Sequence, residues 1–472
     1  MHRKATFYIV LLSFFFLHCT EQSENLDLPN IILVMADDQG WGDMGYNGHP
    51  IVQTPNFDLM ASTSLRFDRF YAAAPVCTPT RASVMTGRHP NRMGAFNWGH
   101  TLRPKEITLA EALKTQGYRT GHFGKWHLGS VRQGSEVNPG ASGFDSWFSA
   151  PNFFDNDPIL SREGKAVKTI GESSMVTVDA ALDFIEDHHG QHPYLAVVWF
   201  GSPHLPHEAH AIDQQSYQNQ NSTRMHFYGE LTGMDRAFGK LRNQVRSLPG
   251  NEQTIIWYCS DNGGLPHVGA TGGRGHKGQV YEGGLRVPAI LEWPSVIRTP
   301  RYTDVPCVTS DIMPTLLDII GTPAPNVPID GISLLPLIKG TMTVRKESIG
   351  FWNYPRPGVR TPSKSWMEEL FAAQQTGNMV GDSSRLRPEA SDIVHTIDLD
   401  SLLGHSAWLK WPYKLHRIAR RDTLPYFELY NLEKDPGEKN NLLPMETKAP
   451  AMQQSLLSWQ QSVVNSYQGA DY

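Results

Sequence analysis

Cysteine is scarce in this chain of 472 residues, which contains Cys19, Cys77, Cys259 and Cys307 and no others. None of them forms a Cys-x-x-Cys pair, and no spacing of cysteine and histidine is typical of a zinc site. These absences exclude a disulfide framework and a zinc-stabilised domain. We therefore expect Cys259 and Cys307 to remain buried thiols, and the fold to depend on a hydrophobic core.

An excess of charge of one sign is also lacking. The chain has 42 lysines and arginines and 47 aspartates and glutamates, which gives a net charge of −5. This balance creates no global field that would recruit nucleic acid or an anionic membrane, so an anionic ligand needs a local site. Repeats and heptads are absent too, and the length predicts one large domain and one small domain.

Apolar runs long enough to span a bilayer are missing, and the run at residues 5–17 follows basic residues at the N-terminus. This pattern predicts a signal peptide at residues 1–18 and an exported protein. Cys19, which opens a polar tether at residues 19–28, resembles the lipidated cysteine of a bacterial lipoprotein, although His18 replaces the usual small residue. Simple cleavage is the alternative. We expect a periplasmic protein or an outer-membrane lipoprotein that touches the membrane only through this lipid.

Polar residues repeatedly follow short apolar runs in this chain. Four such segments are NIILVMADD (30–38), YRTGHFGKWH (118–127), YLAVVWFGSPH (194–204) and TIIWYCSDN (254–262). Runs of this kind are typical of strands buried on both faces of a sheet. Helical stretches lie between them, such as TLAEALKTQG (108–117), in which Thr108 and Glu111 form a capping box. The alternation predicts an α/β fold with a doubly wound sheet and helices on both faces.

Ligands of such sheets bind beyond the carboxyl ends of the strands. The polar residues that follow the four runs are therefore expected to share one edge of the sheet: Asp37, Asp38, Lys125, His127, His204, Asp261 and Asn262.

The segment CTPTRASVMTG (77–87) predicts a helix that Cys77 or Thr78 caps, with Pro79 in the first turn and Gly87 at the end. Cys77 would then lie at the positive end of the helix dipole, with Arg81 one turn further in. This placement favours a role in handling an anion. An ordinary helix start is the alternative.

Several motifs now converge on one family. The signature is Cys77-x-Pro-x-Arg81 with a trailing Thr-Gly-Arg, and it is accompanied by ADDQGWGD (36–43), GKWHLG (124–129), SPH (202–204), SDNGG (260–264), GHKGQVYEGGLRVP (275–288) and LYNLEKDPGEKNNL (429–442). The chain resembles the formylglycine-dependent (type I) sulfatases, arylsulfatase-like members of the alkaline phosphatase superfamily. The resemblance implies a large mixed sheet flanked by helices in a catalytic domain at residues 29–345. A smaller domain of antiparallel sheet plus helix would follow at residues 346–472.

In this family a maturation enzyme oxidises the signature cysteine to formylglycine (3-oxoalanine), which hydrates to a gem-diol. The resemblance therefore implies that residue 77 attacks sulfur through one diol oxygen and expels sulfate through the second hydroxyl. It implies a divalent cation, usually calcium with magnesium as the alternative, whose ligands match Asp37, Asp38, Cys77, Asp261 and Asn262.

The remaining site residues are carried over in the same way. Arg81 matches the arginine that orients the diol, Lys125 the lysine between diol and sulfate, and His127 the base for the second hydroxyl. His204 and Lys277 match the pair beside the leaving group. We favour His204 as the acid that protonates the sugar oxygen and Lys277 as an electrostatic clamp, and the reverse assignment remains open.

Lys277 lies in a segment, GGRGHKG (272–278), that formally contains G-x-G-x-x-G. The segment begins a dozen residues after its strand and lacks a βαβ unit, so a dinucleotide site is excluded. We expect a flexible loop that carries Lys277 to the sulfate.

Residues 351–400 are rich in proline, arginine and aromatics and show no helix period. They are either a surface insertion or a wall that faces a sulfated sugar. AWLKWPYKLHR (407–417) and PYFELYNLEKD (425–435) predict strands of a small antiparallel sheet, and a helix is expected at about residues 451–464.

The expected activity is hydrolysis of sulfate esters, on an algal or host polysaccharide such as ulvan, carrageenan, fucoidan or a glycosaminoglycan. Two alternatives remain. One is a phosphate ester or phosphonate hydrolase of the same superfamily, although two-zinc members need further His and Asp ligands. The other is a non-catalytic binder of sulfated glycans.

Overall fold

The computed structural model describes residues 28–387, 402–443 and 445–472. The predicted signal peptide, Cys19 and all but the last residue of the tether lie outside these residues, and so does the predicted insertion from residue 388 onward. Within the described part of the chain, no helix combines the length and the apolar character that a membrane crossing requires.

One large mixed sheet forms the centre of the molecule. Its strands among the described residues are β1 (Asn30–Ala36), β2 (Leu65–Tyr71), β3 (Arg119–Lys125), β4 (Ser146–Ala150), β5 (Ile159–Arg162), β6 (Lys165–Lys168), β7 (Tyr194–Trp199), β8 (Thr254–Ser260), β9 (Arg286–Glu292), β10 (Arg301–Thr303) and β11 (Cys307–Val308). The strand order is β10-β2-β9-β8-β1-β7-β3-β4-β5-β6, and β11 pairs with β2. The four central strands, β8, β1, β7 and β3, are parallel.

The helices are α1 (Pro55–Thr63), α2 (Cys77–Thr86), α3 (Leu109–Lys114), α4 (Ser173–His188), α5 (Ser222–Ser247), α6 (Glu282–Leu285), α7 (Ile312–Ile319), α8 (Leu335–Ile338), α9 (Ser363–Gln375) and α10 (Ala449–Tyr467). Side chains of β1 alternate between two cores. Ile31 and Leu33 pack on the face that holds α2, α3 and α7, whereas Ile32 and Val34 pack with α1, α4 and α5. Because successive strand residues point to opposite faces, one apolar run supplies both cores. The predicted doubly wound α/β fold is confirmed.

The capping box of α3 is present as predicted, with Thr108 and Glu111 each bonded to the backbone of the other. The start of α2 differs from the prediction. Val76 occupies the N-cap position without a side-chain bond, and Cys77 is the first helical residue. Thr78 does not cap the helix because its hydroxyl donates to the carbonyl oxygen of His127 at 2.9 Å.

A second, antiparallel sheet follows, with strands β12 (Ile349–Asn353), β13 (Gly404–Lys410), β14 (Tyr413–Ala419) and β15 (Tyr426–Asn431) in that order. Helix α10 packs against it, since Met452 and Leu456 share a core with Leu415 of β14 and Leu429 of β15. This confirms the predicted small sheet and C-terminal helix.

Buried ionic contacts join the small sheet to the large one at helix α6. Lys414 of β14 contacts Glu282 at 2.9 Å and Glu438 at 3.2 Å, and Glu438 also accepts the backbone N–H of Glu282 at 2.8 Å. Tyr71 of β2 donates to the other carboxylate oxygen of Glu282 at 3.0 Å. The first residue of α6 is therefore held by both sheets.

The prediction that residues 351–400 lack helix was wrong for α9. Trp366, Met367 and Leu370 are buried on one side of it, and the Gln374 side chain bonds the backbone of Gly164 and Ala166. Its apolar stripe is only a few residues long and lies among prolines and arginines. The helical spacing of its apolar residues is therefore not apparent over the whole segment of residues 351–400.

A buried ion pair anchors α7 beside α2. Asp311 accepts two bonds from Arg345, at 2.6 and 3.0 Å, and two backbone N–H groups. We expect Asp311→Ala to lower the free energy of unfolding by about 3–5 kcal/mol, because it leaves a buried guanidinium unpaired. Urea unfolding followed by fluorescence measures this change.

Asp304→Ala is the matched control, since Asp304 pairs with Arg69 at an exposed position and should cost no more than about 1 kcal/mol. Equal losses in the two variants would contradict the assignment.

Candidate active site

The site lies at the carboxyl edge of the four parallel central strands. Asp37 and Asp38 follow β1, and Asp261 and Asn262 follow β8, which pairs directly with β1. The Asp38 backbone N–H donates to Asp261 Oδ1 at 3.1 Å, and Asn262 Nδ2 donates to Asp38 Oδ1 at 2.9 Å. All four side chains are fully buried. The structure thus brings together the polar strand ends that the sequence placed at one edge.

Helix α2 supplies Cys77 and Arg81 to this edge. Arg81 donates through Nε and Nη2 to Asp261 Oδ2, at 3.0 and 2.7 Å, and through Nη1 to the carbonyl oxygen of Lys125 at 3.1 Å. The indole of Trp199 lies 5.0 Å from the guanidinium carbon. Arg81 is therefore fixed on three sides, which favours one orientation of its charge.

Two lysines reach the same carboxylates from other loops. Lys125, at the end of β3, lies 2.6 Å from Asp37 Oδ2, and Lys277, in the loop before α6, lies 2.6 Å from Asp38 Oδ1. Although burial favours the neutral acid, Lys277 and His204 hold the pKa of Asp38 below its usual range. Asp38 also raises the pKa of Lys277 against the effect of burial. Lys277 is thus a fixed cation.

Both predicted histidines lie at the site. His204 Nε2 lies 3.7 Å from Asp38 Oδ2, while its Nδ1 bonds the carbonyl oxygen of Leu205. His127 has a left-handed backbone, with φ of 55°, and neither ring nitrogen has a hydrogen-bond partner among the described residues. Burial holds the pKa of both histidines well below the usual range, with help from Lys125 for His127 and from Lys277 for His204. Both shifts favour the neutral ring, and for His204 the Asp38 carboxylate opposes the shift.

The Cys77 side chain is buried at the base of this cluster, with 1% of the residue exposed. Burial raises the pKa of its thiol to about 12, against the opposing effects of Lys125 and Lys277. Since the thiolate and not the thiol is the nucleophile and metal ligand, unmodified Cys77 is unreactive at neutral pH.

The donor set fits a hard divalent cation. Asp37 Oδ1 and Asn262 Oδ1 are buried and accept no hydrogen bond among the described residues, although buried oxygens are normally satisfied. Burial raises the pKa of Asp37 to about 8, and a cation beside it would favour the ionised carboxylate. Ligand atoms of Asp37, Asp38, Cys77 and His204 all lie within 4.8 Å of one another. Carboxylate and amide oxygens of this kind suit calcium or magnesium.

Three neighbours of the site were not predicted from the sequence. Trp199 packs under Arg81, Phe153 stacks on His204 with ring centroids 4.2 Å apart, and Thr78 bonds the His127 carbonyl. Trp199 ends a strand and precedes the Ser-Pro-His motif by three residues, which is a usable signal. Phe153 had none, because its contact forms between separate loops.

Carboxylates around a cation position, faced by fixed lysines and by the buried start of a helix, define a hydrolase of anionic esters. The family model described as Sulfatase matches residues 29–322. The chain belongs to the sulfatase family, and it is an enzyme of the sulfuric ester hydrolase class.

Individual relatives agree with this family. Arylsulfatase A of Homo sapiens is 32% identical over 452 residues, which cover 88% of this chain and 83% of that protein. The ulvan-active sulfatase of Formosa agariphila is 30% identical over 496 residues, which cover 92% and 95%. The solved structure of Ps i-CgsB in complex with k-i-k-neocarrahexaose has a TM-score of 0.74 at 23% identity and covers 92% of this chain and 93% of its own, which shows a shared fold.

The cation assignment predicts a thermal shift. Adding Ca²⁺ to chelator-treated protein should raise its melting temperature, since binding at a hundred times Kd stabilises the native state by about 2.7 kcal/mol. Asp37→Asn should raise the midpoint Ca²⁺ concentration at least about tenfold. Substitution of residues that only hydrogen-bond to metal ligands already lowers metal affinity by about this factor. Differential scanning fluorimetry gives both values.

Asp304→Asn is the control for this titration, because it changes a carboxylate on the surface. If Asp37→Asn has the same midpoint Ca²⁺ concentration as the wild type, Asp37 is not a ligand.

Proposed function

We propose that this sulfatase hydrolyses sulfate esters of a sulfated polysaccharide or its oligosaccharides, through a gem-diol nucleophile derived from Cys77 and with one divalent cation. The observation that carries this proposal is the set of fully buried side chains around Cys77, in which Asp37 and Asp38 each face a lysine. A neutral, buried thiol is a poor nucleophile in this setting. A hydroxyl oxygen at the same position can be activated by the cation and by a neighbouring base.

The cation, held by Asp37, Asp38, Asp261 and Asn262, would supply Lewis acidity toward oxygens of residue 77 and of the sulfate. If all are ionised, the carboxylates Asp37, Asp38 and Asp261 equal in number the cations Arg81, Lys125 and Lys277, before the divalent cation is counted. With it, the site has an excess of positive charge, which suits the single negative charge of a sulfate monoester.

Two histidines of the chain carry the proton transfers of the proposed reaction. His127 is neutral and its ring nitrogens are unpartnered, so it is available as the base for a hydroxyl of residue 77. His204 presents Nε2 to the site, because Nδ1 is bonded to the Leu205 carbonyl. We assign it as the acid for the sugar oxygen, a role in which Nε2 carries a proton beside Asp38, whose charge favours the protonated ring, and Lys277 as the fixed charge beside it.

A polysaccharide substrate is supported by the surroundings of the site and by one relative. The Trp98 backbone accepts the Val359 N–H at 2.9 Å, and His100 Nε2 bonds the Pro357 carbonyl at 3.0 Å. The predicted wall segment thus lies against the loop that reaches Thr78 through Gly99. The relative from Formosa agariphila is named as active on ulvan. Export to the periplasm or the cell surface, with lipid on Cys19, completes the proposal.

Replacing the nucleophile tests the proposal directly. After co-expression with a maturation enzyme, the tryptic peptide of residues 70–81 should show the mass of an aldehyde in place of the Cys77 thiol. Cys77→Ala should reduce sulfate release from 4-nitrophenyl sulfate to background, because no other nucleophile lies at this position.

Protein that retains the thiol at residue 77 and still releases sulfate would contradict the mechanism. Faster release of phosphate from 4-nitrophenyl phosphate than of sulfate by the matured enzyme would favour the phosphate ester hydrolase instead.

The acid can be identified from the leaving group. His204→Ala should lower kcat about 10²–10⁴-fold on a sulfated sugar, whose alkoxide needs a proton, and far less on 4-nitrophenyl sulfate, whose leaving group does not. Lys277→Ala should lower the rate on both substrates similarly, because a fixed charge acts on the sulfate itself. Steady-state kinetics on both substrates separate the two roles. If Lys277→Ala, and not His204→Ala, loses more activity on the sulfated sugar than on 4-nitrophenyl sulfate, the assignment is reversed.

A further inference from the structure

A groove with a cavity volume of about 740 Å³ lies between the Lys277 loop and the small sheet. Its size is within the range of about 300–1,000 Å³ that is typical of small-molecule sites. The residues that characterise it are Gln279, Tyr281, His405, Arg420, Arg421 and Tyr426. None of these was predicted to belong to the site.

The groove adjoins the segment that carries Lys277. Asn353, which also lines the groove, donates from Nδ2 to the Gly278 carbonyl at 3.0 Å, and the Gly278 N–H donates to the carbonyl of Pro75 at 2.8 Å. Pro75 precedes Cys77 by two residues, and Lys277 itself reaches Asp38 inside the site. A sugar unit bound in the groove would therefore lie close to the cleavage site. It can belong to the same glycan as the sulfate ester that is cleaved.

The charge that the described residues bring to the groove is positive. Arg420 and Arg421 are exposed, and among the described residues neither forms an ion pair. No acidic side chain from the described part of the chain lines the groove. Glu428, on the strand below, is already engaged by Tyr281 at 2.9 Å and Tyr430 at 3.0 Å. In a protein of net charge −5, two adjacent free guanidiniums are a local anion-binding feature.

The floor of the groove is rigid and its far side is aromatic. Tyr281 is held between the Arg274 guanidinium, 3.8 Å from the ring centre, and the His405 ring, 4.8 Å away. Tyr426 is 46% exposed, and within the described chain its ring stacks on no other ring. A free aromatic face beside arginines matches a charged sugar, which presents an apolar ring face and anionic substituents.

We propose that this groove is a second subsite, which binds another negatively charged unit of the glycan whose sulfate ester is cleaved at residue 77. The ligand chemistry is a sugar that carries a sulfate or a carboxylate. This inference rests on the proposed function. It implies that the enzyme prefers oligosaccharides with several charges over a single sulfated sugar.

The test compares the matured wild type with Arg420→Ala/Arg421→Ala. The substrates are 4-nitrophenyl sulfate and oligosaccharides of carrageenan, of ulvan and of chondroitin sulfate. For the oligosaccharide that is cleaved best, we expect the double variant to raise KM at least about tenfold, the effect of lost charged contacts in the groove. We expect kcat, and all kinetics on 4-nitrophenyl sulfate, to be unchanged.

Arg420→Lys/Arg421→Lys should recover part of the affinity, since it restores charge without bidentate geometry. Arg298→Ala is the control, because Arg298 is exposed and follows β9 near the start of β8, at the opposite edge of the sheet. Carrageenan oligosaccharides carry sulfate alone, whereas ulvan and chondroitin oligosaccharides also carry uronic acids. A rise in KM on carrageenan oligosaccharides identifies sulfate as the anion in the groove, whereas a rise confined to ulvan or chondroitin oligosaccharides, with carrageenan cleaved and its KM unchanged, identifies the carboxylate.

An unchanged KM in the double variant would overturn the inference, and so would an equal loss in Arg298→Ala or on 4-nitrophenyl sulfate. If the wild type cleaves 4-nitrophenyl sulfate but no oligosaccharide, calorimetric binding decides. The inference is then wrong unless an oligosaccharide binds the wild type more tightly than the double variant. Absence of any sulfate release by the matured wild type would instead refute the proposed function.

Discussion

Mutual neutralisation of buried charges is the constraint on which this structure depends. Asp37, Asp38 and Asp261 are fully buried, and each contacts a cation from a different element of the fold. Burial of any of these groups alone would be prohibitive, so the parallel strands, helix α2 and the Lys277 loop must arrive together. The same balance supports the proposed chemistry, because a divalent cation added to an equal number of carboxylates and cations would leave the positive charge that suits an anionic ester.

Much of the fold could be predicted because its signals are local. The apolar runs that became β1, β7 and β8 are continuous, and Thr108 and Glu111 form a capping box that marks the start of α3. Helix α9 was missed because its stripe is short and depends on packing against β5 and β6. The cap of α2 was misassigned because Thr78 has the right chemistry for a cap, but tertiary contact with the His127 carbonyl takes its hydroxyl.

The sequence predicts those site residues that follow the end of a strand or belong to a motif. Asp37, Asp38, Asp261 and Asn262 could be placed at one edge from topology alone, since parallel strands align their carboxyl ends. Contacts between loops carry no such pattern. Phe153 on His204 and the arginine pair 420–421 beside Gln279 follow from how separate loops fold back, and no spacing in the sequence announces either.

The ionic junction at α6 has a wider consequence. Lys277 lies in a loop with little core of its own, and the helix that ends this loop is bound by Lys414 and Glu438 from the small sheet. The C-terminal domain is therefore an integral brace of the catalytic apparatus and not an independent appendage. A truncation that removes the small sheet would therefore release the Lys277 loop from one of its supports while sparing the central sheet.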